Sequence, residues 1–225
     1  MHKTKIDWAD YSWNPVWGCR NSCPYCYARA LAHRLNKSFE PHWMEKNFAS
    51  AMPKEPSVVF VNSMSEVEHW RDDWLAQVLV RILENPEHAF LFLTKNPQAY
   101  ERFDALAPEN VWFGATTTTA ADVHQLPDSF LNTQRSFLSI EPLHGDLALF
   151  LPGDLDWVIV GAETGNRSGR IRPEEEWIDE LVEVCADNGI PLFMKDNLKP
   201  YWRGPMVRQV PEGLPLRKNQ GEQLA

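Results

Sequence analysis

Short runs of apolar residues recur along the chain and are separated by polar or amphipathic segments. A strand buried on both faces of a parallel sheet has a continuous apolar run, whereas a strand with one solvated face alternates. Residues 13–17 have the composition of a further, short first strand. The continuous runs predict buried parallel strands at residues 57–62 (SVVFVN), 89–94 (AFLFLT), 110–116 (NVWFGAT), 136–141 (SFLSIE), 156–161 (DWVIVG) and 190–195 (IPLFMK).

Segments with helical spacing or helix-start signals lie between these runs. The last of them opens with Pro-Glu-Glu-Glu and closes before Gly189, as expected for a capped helix. Alternating strands and helices predict βαβ units with right-handed crossovers, and hence an α/β fold with six or seven parallel strands. Alternation alone fits either a partial barrel or a doubly wound open sheet. The predicted helices span residues 27–35, 70–84, 97–106 and 173–188.

The length and composition predict a single globular domain. The chain has 225 residues, of which 44% are hydrophobic, enough to form one sizeable core. We expect residues 1–203 to form the domain and residues 204–225, rich in proline, glycine and charge, to form a C-terminal tail.

Three of the four cysteines are clustered. Cys19, Cys23 and Cys26 have the spacing C-x3-C-x2-C. Their thiolates can hold one soft metal centre, and a 4Fe-4S cluster bound by three cysteines leaves one iron open to a small molecule. Zinc is the alternative, with Cys185 or a distant histidine as a fourth ligand, although the sequence has no second C-x2-C or H-x3-H pair. Cys185 itself lies in an amphipathic helical segment and is expected to be buried.

The charge and the N-terminus limit the classes of function. A formal net charge of -9 argues against nucleic-acid binding by bulk electrostatics, which needs a basic face. Residues 1–10 lack the apolar segment of a signal peptide, and no run of about 18 apolar residues occurs. We therefore expect no membrane association and a cytoplasmic location, where reduced thiols persist.

Polar residues follow the predicted strands. In parallel α/β folds, catalytic groups collect at the carboxyl ends of the strands. Polar strand ends are also ordinary loop chemistry, but their recurrence on successive strands favours a shared cavity. The residues at these ends include Asn62, Ser63, Lys95, Thr116, Glu141, Glu163 and Lys195.

The cysteine spacing, with the aromatic Tyr25 just before Cys26, resembles the signature of the radical S-adenosylmethionine (SAM) enzymes. The resemblance implies a partial parallel β/α barrel and a 4Fe-4S cluster bound by Cys19, Cys23 and Cys26. It also implies that SAM chelates the open iron, with Tyr25 against its adenine, and is cleaved to a 5′-deoxyadenosyl radical. A reductant such as flavodoxin or ferredoxin would supply the electron.

One superfamily feature is replaced in this chain. Radical SAM enzymes commonly carry a Gly-Gly-Glu-like segment after the second strand, where this chain has Asn62-Ser63-Met64. From strand order we expect Asn62 or Ser63 to contact the amino group of SAM, and Thr116 and Glu141 to lie near its ribose.

A second resemblance covers nearly the whole chain. The segments 5–10, 13–16, 61–65, 93–95, 138–143 and 158–165 are similar to an uncharacterised phage-associated family of small three-cysteine proteins. It implies that Lys95, Glu141 and Glu163 belong to the site.

The leading hypothesis is a radical SAM enzyme acting on a nucleoside, a nucleic acid or a small metabolite. Two alternatives stay open: a zinc-binding protein without catalysis, and an iron-sulfur redox or sensing protein that does not use SAM.

Overall fold

The computed structural model describes residues 1–164 and 167–217. Its strands are β1 (His2–Lys3), β2 (Tyr11–Ser12), β3 (Val16–Trp17), β4 (His42–Trp43), β5 (Val58–Phe60), β6 (Ala89–Thr94), β7 (Val111–Thr117), β8 (Ser136–Ile140), β9 (Trp157–Val160) and β10 (Leu192–Met194). Its α-helices are α1 (Tyr27–Arg34), α2 (Glu45–Phe48), α3 (Asp72–Leu83), α4 (Ala120–His124), α5 (Asp128–Leu131) and α6 (Glu175–Asp187). Short 3₁₀ helices span Val67–His69, Pro97–Arg102, Asp104–Leu106, Ala148–Phe150 and Asp196–Leu198.

Eight strands form one sheet in the order β1-β2-β5-β6-β7-β8-β9-β10. β1 pairs with β2 in the antiparallel sense, whereas the pairs β2–β5, β5–β6, β7–β8, β8–β9 and β9–β10 are parallel. Every residue of β5, β8, β9 and β10 is buried, as their continuous apolar runs predict. The predicted partial parallel β/α barrel is confirmed.

The first compact unit comprises residues 1–112 together with the described residues 215–217. Its core is rich in aromatic side chains. Trp13 is fully buried, lies 6.0 Å from Phe90 between ring centroids, and donates its indole N–H to the carbonyl oxygen of Asn47 at 3.0 Å. Asp10 accepts the backbone N–H of Val58 at 2.9 Å, which holds the start of β5. This unit carries the cysteine cluster.

The second compact unit comprises residues 113–214. Its longest helix, α6, buries Ile178, Leu181 and Cys185. Cys185 is 1% exposed, and burial raises the pKa of its thiol to about 12, which confirms its expected place in the core. The chain after β10 returns along that strand, where the N–H of Met194 donates to the carbonyl oxygen of Val207 at 2.9 Å. The predicted tail thus adds to the edge of β10, and its last residues, 218–225, lie outside the described part of the chain.

The predicted first strand at residues 13–17 is wrong in its position. The strand that pairs with β5 is β2, which ends just before the predicted residues. Beyond the end of β2, Trp13 still donates its N–H to the carbonyl oxygen of Phe60 at 2.8 Å. The chain then leaves the sheet because Pro15 has no N–H to donate. β3 pairs instead with β4 in a separate antiparallel ribbon.

The predicted helix at residues 97–106 forms two 3₁₀ segments instead of one α-helix. Phe103 lies between them with φ -154° and ψ -3° and is 2% exposed, so the backbone leaves the helical conformation where this ring enters the core. Nowhere in the described ranges is a helix both long enough and apolar enough to cross a membrane.

Candidate functional site

The three clustered cysteines lie on the loop that joins β3 to α1. All three are free thiols and are partly exposed. Cys26 is the N-cap of α1, and its Sγ accepts the backbone N–H of Arg29 at 3.3 Å. The Sγ of Cys19 accepts the backbone N–H of Asn21 at 3.3 Å. The loop therefore supplies N–H donors to its own sulfurs, a contact that orients and tunes metal-bound thiolates.

Arg29, in the first turn of α1, fixes the start of this loop. Its Nη2 donates to the carbonyl oxygens of Cys19 at 2.8 Å and Asn21 at 2.7 Å. The guanidinium also lies over the ring of Phe39, 5.1 Å from the centroid. Its Nε is buried and has no hydrogen-bond partner in the described part of the chain. Two hydrogen bonds thus hold the loop against α1 before any metal binds.

Gly18 allows the chain to enter the loop. Its φ is +103°, and an added Cβ would lie 2.3 Å from the carbonyl oxygen of Glu40. Its N–H donates to the carbonyl oxygen of Met64 at 3.0 Å. Only glycine combines this conformation with so close an approach.

The residues after β5 lie beside the cysteine loop. The side-chain amide of Asn62 donates to the carbonyl oxygen of Leu93 at 2.8 Å and accepts its N–H at 3.0 Å. Ser63 accepts from the Asn14 amide at 3.0 Å, and its carbonyl oxygen accepts from the Tyr27 hydroxyl at 2.5 Å. Asn62 thus holds the end of β6, whereas Ser63 lies against the first turn of α1.

Glu66 is a buried carboxyl at the same edge. It is 6% exposed, accepts the hydroxyl of Thr94, and accepts the backbone N–H of Lys95 at 3.2 Å. Burial raises its pKa, and the bonds from Thr94 and Lys95 only partly oppose that shift. The Nζ of Lys95 donates to the hydroxyl of Tyr25 at 3.0 Å. The structure therefore brings the predicted residues Lys95 and Tyr25 into contact.

The thiols influence one another electrostatically. Burial is the main reason that the pKa of Cys19 rises to about 11, and the charges of Glu66, Cys26 and Cys23 raise it further. Burial also raises the pKa of Cys23, against which the charge of Lys95 acts. Without a metal these two thiols are protonated at neutral pH, so binding of a thiophilic centre would release protons.

Glu141 and Lys195 form an ion pair in the second unit. Glu141 follows β8 and Lys195 follows β10, and their side chains are 24% and 16% exposed. A Cβ on Gly161, at the end of β9, would lie 3.0 Å from Cδ of Lys195 and 3.4 Å from Cγ of Glu141. The absence of a side chain at this position leaves room for the pair.

Glu163 lies two residues after Gly161 in the chain. Its side chain is 1% exposed, and Oε1 accepts Nε of Arg167 at 2.5 Å. Nε2 of His144 lies 3.9 Å from Oε2, which accepts no hydrogen bond from the described residues. Thr116 lies in β7 opposite Ser139 of β8. These three predicted residues, Thr116, Glu141 and Glu163, all belong to the second unit.

Two residues of the cysteine site were missed from the sequence. Glu66 stands in a polar segment after a predicted strand, but its burial depends on Thr94 and Lys95, far along the chain. Arg29 is separated from Cys26 by one helical turn, and its role depends on backbone carbonyls that no side-chain motif reports. The one sequence signal for Arg29 was the helix predicted at residues 27–35, since its first turn places Arg29 close to the N-cap residue Cys26.

The donor set of the cysteine loop fits an iron-sulfur cube. Among residues 1–164 and 167–217, no three His, Cys, Asp or Glu side chains are grouped to hold a single metal ion. In a 4Fe-4S cube each cysteine binds a different iron, so the three thiols do not have to converge on one ion. Three free thiols, N–H donors to two of them and the buried Nε–H of Arg29 suit a sulfur-rich, anionic centre.

Solved structures of spore photoproduct lyase are similar to this chain. A cysteine-to-alanine variant matches with a TM-score of 0.62 at 13% identity, over 90% of this chain and 79% of that chain. The complex of such a variant with dinucleoside spore photoproduct gives 0.61 at 14% identity, over 90% and 79%. A double variant with bound AdoMet and the same dinucleoside gives 0.59 at 14% identity, over 86% and 78%. At identities this low, the structural similarity shows a common fold alone.

No curated protein sequence matches the chain. The predicted association with phages stays a prediction. Residues 3–209 match the family described as protein of unknown function (DUF5131), and because this match spans most of the sequence, the chain belongs to that family.

Proposed function

We propose that this chain is a radical SAM enzyme. The observation that carries the proposal is the cysteine loop: three free thiols, two of which already accept backbone N–H groups, held by Arg29 at the N-terminus of α1. The likeness of the fold to spore photoproduct lyase, one of whose structures contains AdoMet, supports it.

Cys19, Cys23 and Cys26 would hold a 4Fe-4S cluster, and Tyr25, Asn62 and Ser63 of the same compact unit are the proposed contacts of SAM. When bound, these cofactors supply one-electron reduction and cleavage of the sulfonium to a 5′-deoxyadenosyl radical, which abstracts a hydrogen atom. The protein itself would orient SAM and the substrate and exclude water from them. Gly18 and Arg29 fix the loop, and the N–H donors orient two of its sulfurs.

The substrate would be bound by charged groups of the second unit. The pairs Glu141–Lys195 and Glu163–Arg167 offer carboxylate, ammonium and guanidinium groups that are largely withdrawn from water. Lys95 in the first unit is a further candidate for proton transfer. We propose nucleosides, free or within a nucleic acid, as the first class to test, because the similar structures include complexes with a dinucleoside.

The proposal includes a reducing compartment, the cytoplasm, and a low-potential electron donor such as flavodoxin or ferredoxin. It is tested by oxygen-free purification, analysis of iron and acid-labile sulfide, and incubation with SAM and dithionite. We expect a brown protein that releases 5′-deoxyadenosine, identified by mass spectrometry. A colourless protein with one zinc per chain would overturn the proposal. A brown protein that leaves SAM intact would overturn the proposed cleavage of SAM.

Cys23→Ala provides the decisive variant, and Cys185→Ala is its matched control. We expect Cys23→Ala to lose cluster iron and 5′-deoxyadenosine formation, since a thiol of the loop is removed. Cys185→Ala should keep both, because that thiol is buried on α6. Equal iron contents in the two variants would contradict the assignment of the ligands.

A further inference from the structure

Lys95 places a positive charge beside the cysteine loop. Its ammonium donates a hydrogen bond to the hydroxyl oxygen of Tyr25 at 3.0 Å and lies 5.0 Å from the centroid of the same ring. Tyr25 directly precedes Cys26 and follows Cys23 by two positions. The ammonium therefore contacts a residue that lies between two of the three proposed cluster ligands along the chain.

The backbone of Lys95 is held independently of its side chain. Its N–H donates to Glu66 at 3.2 Å, and the hydroxyl of Thr94 bonds to the same carboxyl. That hydroxyl oxygen also accepts the N–H of Asn96 at 3.0 Å, so the turn after β6 is braced on both sides of Lys95. The backbone position of Lys95 thus comes from the fold, and the bond to Tyr25 orients its exposed side chain.

A fixed cation has a defined effect on a nearby redox centre. Reduction adds one negative charge to a 4Fe-4S cluster, so a neighbouring ammonium stabilises the reduced form and raises the midpoint potential.

We propose that Lys95 tunes the reduction potential of the cluster through its charge, with Tyr25 and Glu66 as the residues that position it. This inference rests on the proposed function, because it requires the cluster. It gives Lys95 a role that is independent of SAM and of the substrate.

The test is a redox titration of the reconstituted protein without SAM, followed by electron paramagnetic resonance of the reduced cluster. We expect Lys95→Met to lower the midpoint potential by about 28 mV or more, which corresponds to about a threefold smaller equilibrium constant for reduction at 59 mV per tenfold. Lys95→Arg, which keeps the charge, should restore most of the potential. Tyr25→Phe should give a smaller shift in the same direction, because it releases the ammonium but keeps the ring.

The exposed Lys54 supplies the matched control, since Lys54→Met removes the same charge from the loop before β5. We expect its midpoint potential to equal that of the wild type. An unchanged potential in Lys95→Met with full iron and sulfide would overturn the inference and leave the proposed function intact. A shift seen only with SAM present would also overturn it, by assigning Lys95 to SAM. Wild-type protein without iron and sulfide would instead refute the proposed function, and the inference with it.

Discussion

At the scale of single residues, Gly18 determines the path of the chain into the cysteine loop. We expect Gly18→Ala to destabilise the protein by about 1–3 kcal/mol, because alanine is strained at φ +103° and its Cβ would overlap the carbonyl of Glu40. Urea denaturation measures the loss. Iron uptake during reconstitution should fall as well, since relief of this overlap would shift the backbone whose N–H ties the loop to Met64.

Gly145→Ala is the control for this substitution, because no atom lies within 4 Å of its added Cβ. We expect a change within about 0.5 kcal/mol and normal iron uptake. If the two variants lost stability equally, the close approach at Gly18 would not be the cause.

The same scale explains which site residues can be found from a sequence. The spacing of Cys19, Cys23 and Cys26 predicts a site by itself, because one loop can present all three thiols. The sequence around Glu66 predicts no site, since an acidic residue after a strand is common and only the folded neighbours bury it. Its partners Thr94 and Lys95 lie about 28 residues away, so only the folded chain reveals the contact.

At the scale of elements, continuous apolar runs predicted the long strands because both faces of those strands are buried. β6 begins and ends at the predicted residues, and β8 differs by one residue at its end. β1, β2, β3 and β4 have two residues each, too short for any periodicity to show. Their pairing is set by tertiary contacts, which is why the first strand was misplaced.

The first turn of helix α4 carries a carboxylate that accepts hydrogen bonds from the residues before the helix. Asp122 accepts the N–H of Thr118 at 2.7 Å and that of Thr119 at 2.9 Å, together with their hydroxyls. Burial alone would raise its pKa, but these bonds outweigh burial and lower it below 3.8. The ionised form therefore stabilises the fold above that pH, and the contribution is lost as the pH falls through the lowered pKa.

We expect Asp122→Asn to reduce the free energy of unfolding by about 1 kcal/mol at pH 7, the usual size of a capping contact. The difference from the wild type should shrink steadily below pH 3.8, where the wild-type carboxyl takes up its proton. Denaturation at a series of pH values measures it. Asp128→Asn, at the exposed start of α5, should have a smaller effect at pH 7. A difference for Asp122→Asn that stayed constant down to pH 2 would contradict the role of the charge.

At the scale of the whole molecule, the cysteine loop belongs to the first compact unit and α6 to the second. A ligand stabilises most strongly the segments that it touches and those bonded to them. We therefore expect cluster loading to slow amide hydrogen exchange at residues 18–34 and 62–66, which the Gly18–Met64 and Arg29 contacts connect. Exchange in Glu175–Asp187 should stay unchanged and serves as an internal control. Oxygen-free exchange with mass spectrometry compares loaded and metal-free protein. Equal protection of the loop and of α6 would mean that the cluster acts on global unfolding, and no protection of the loop would contradict its assignment as the cluster-binding segment.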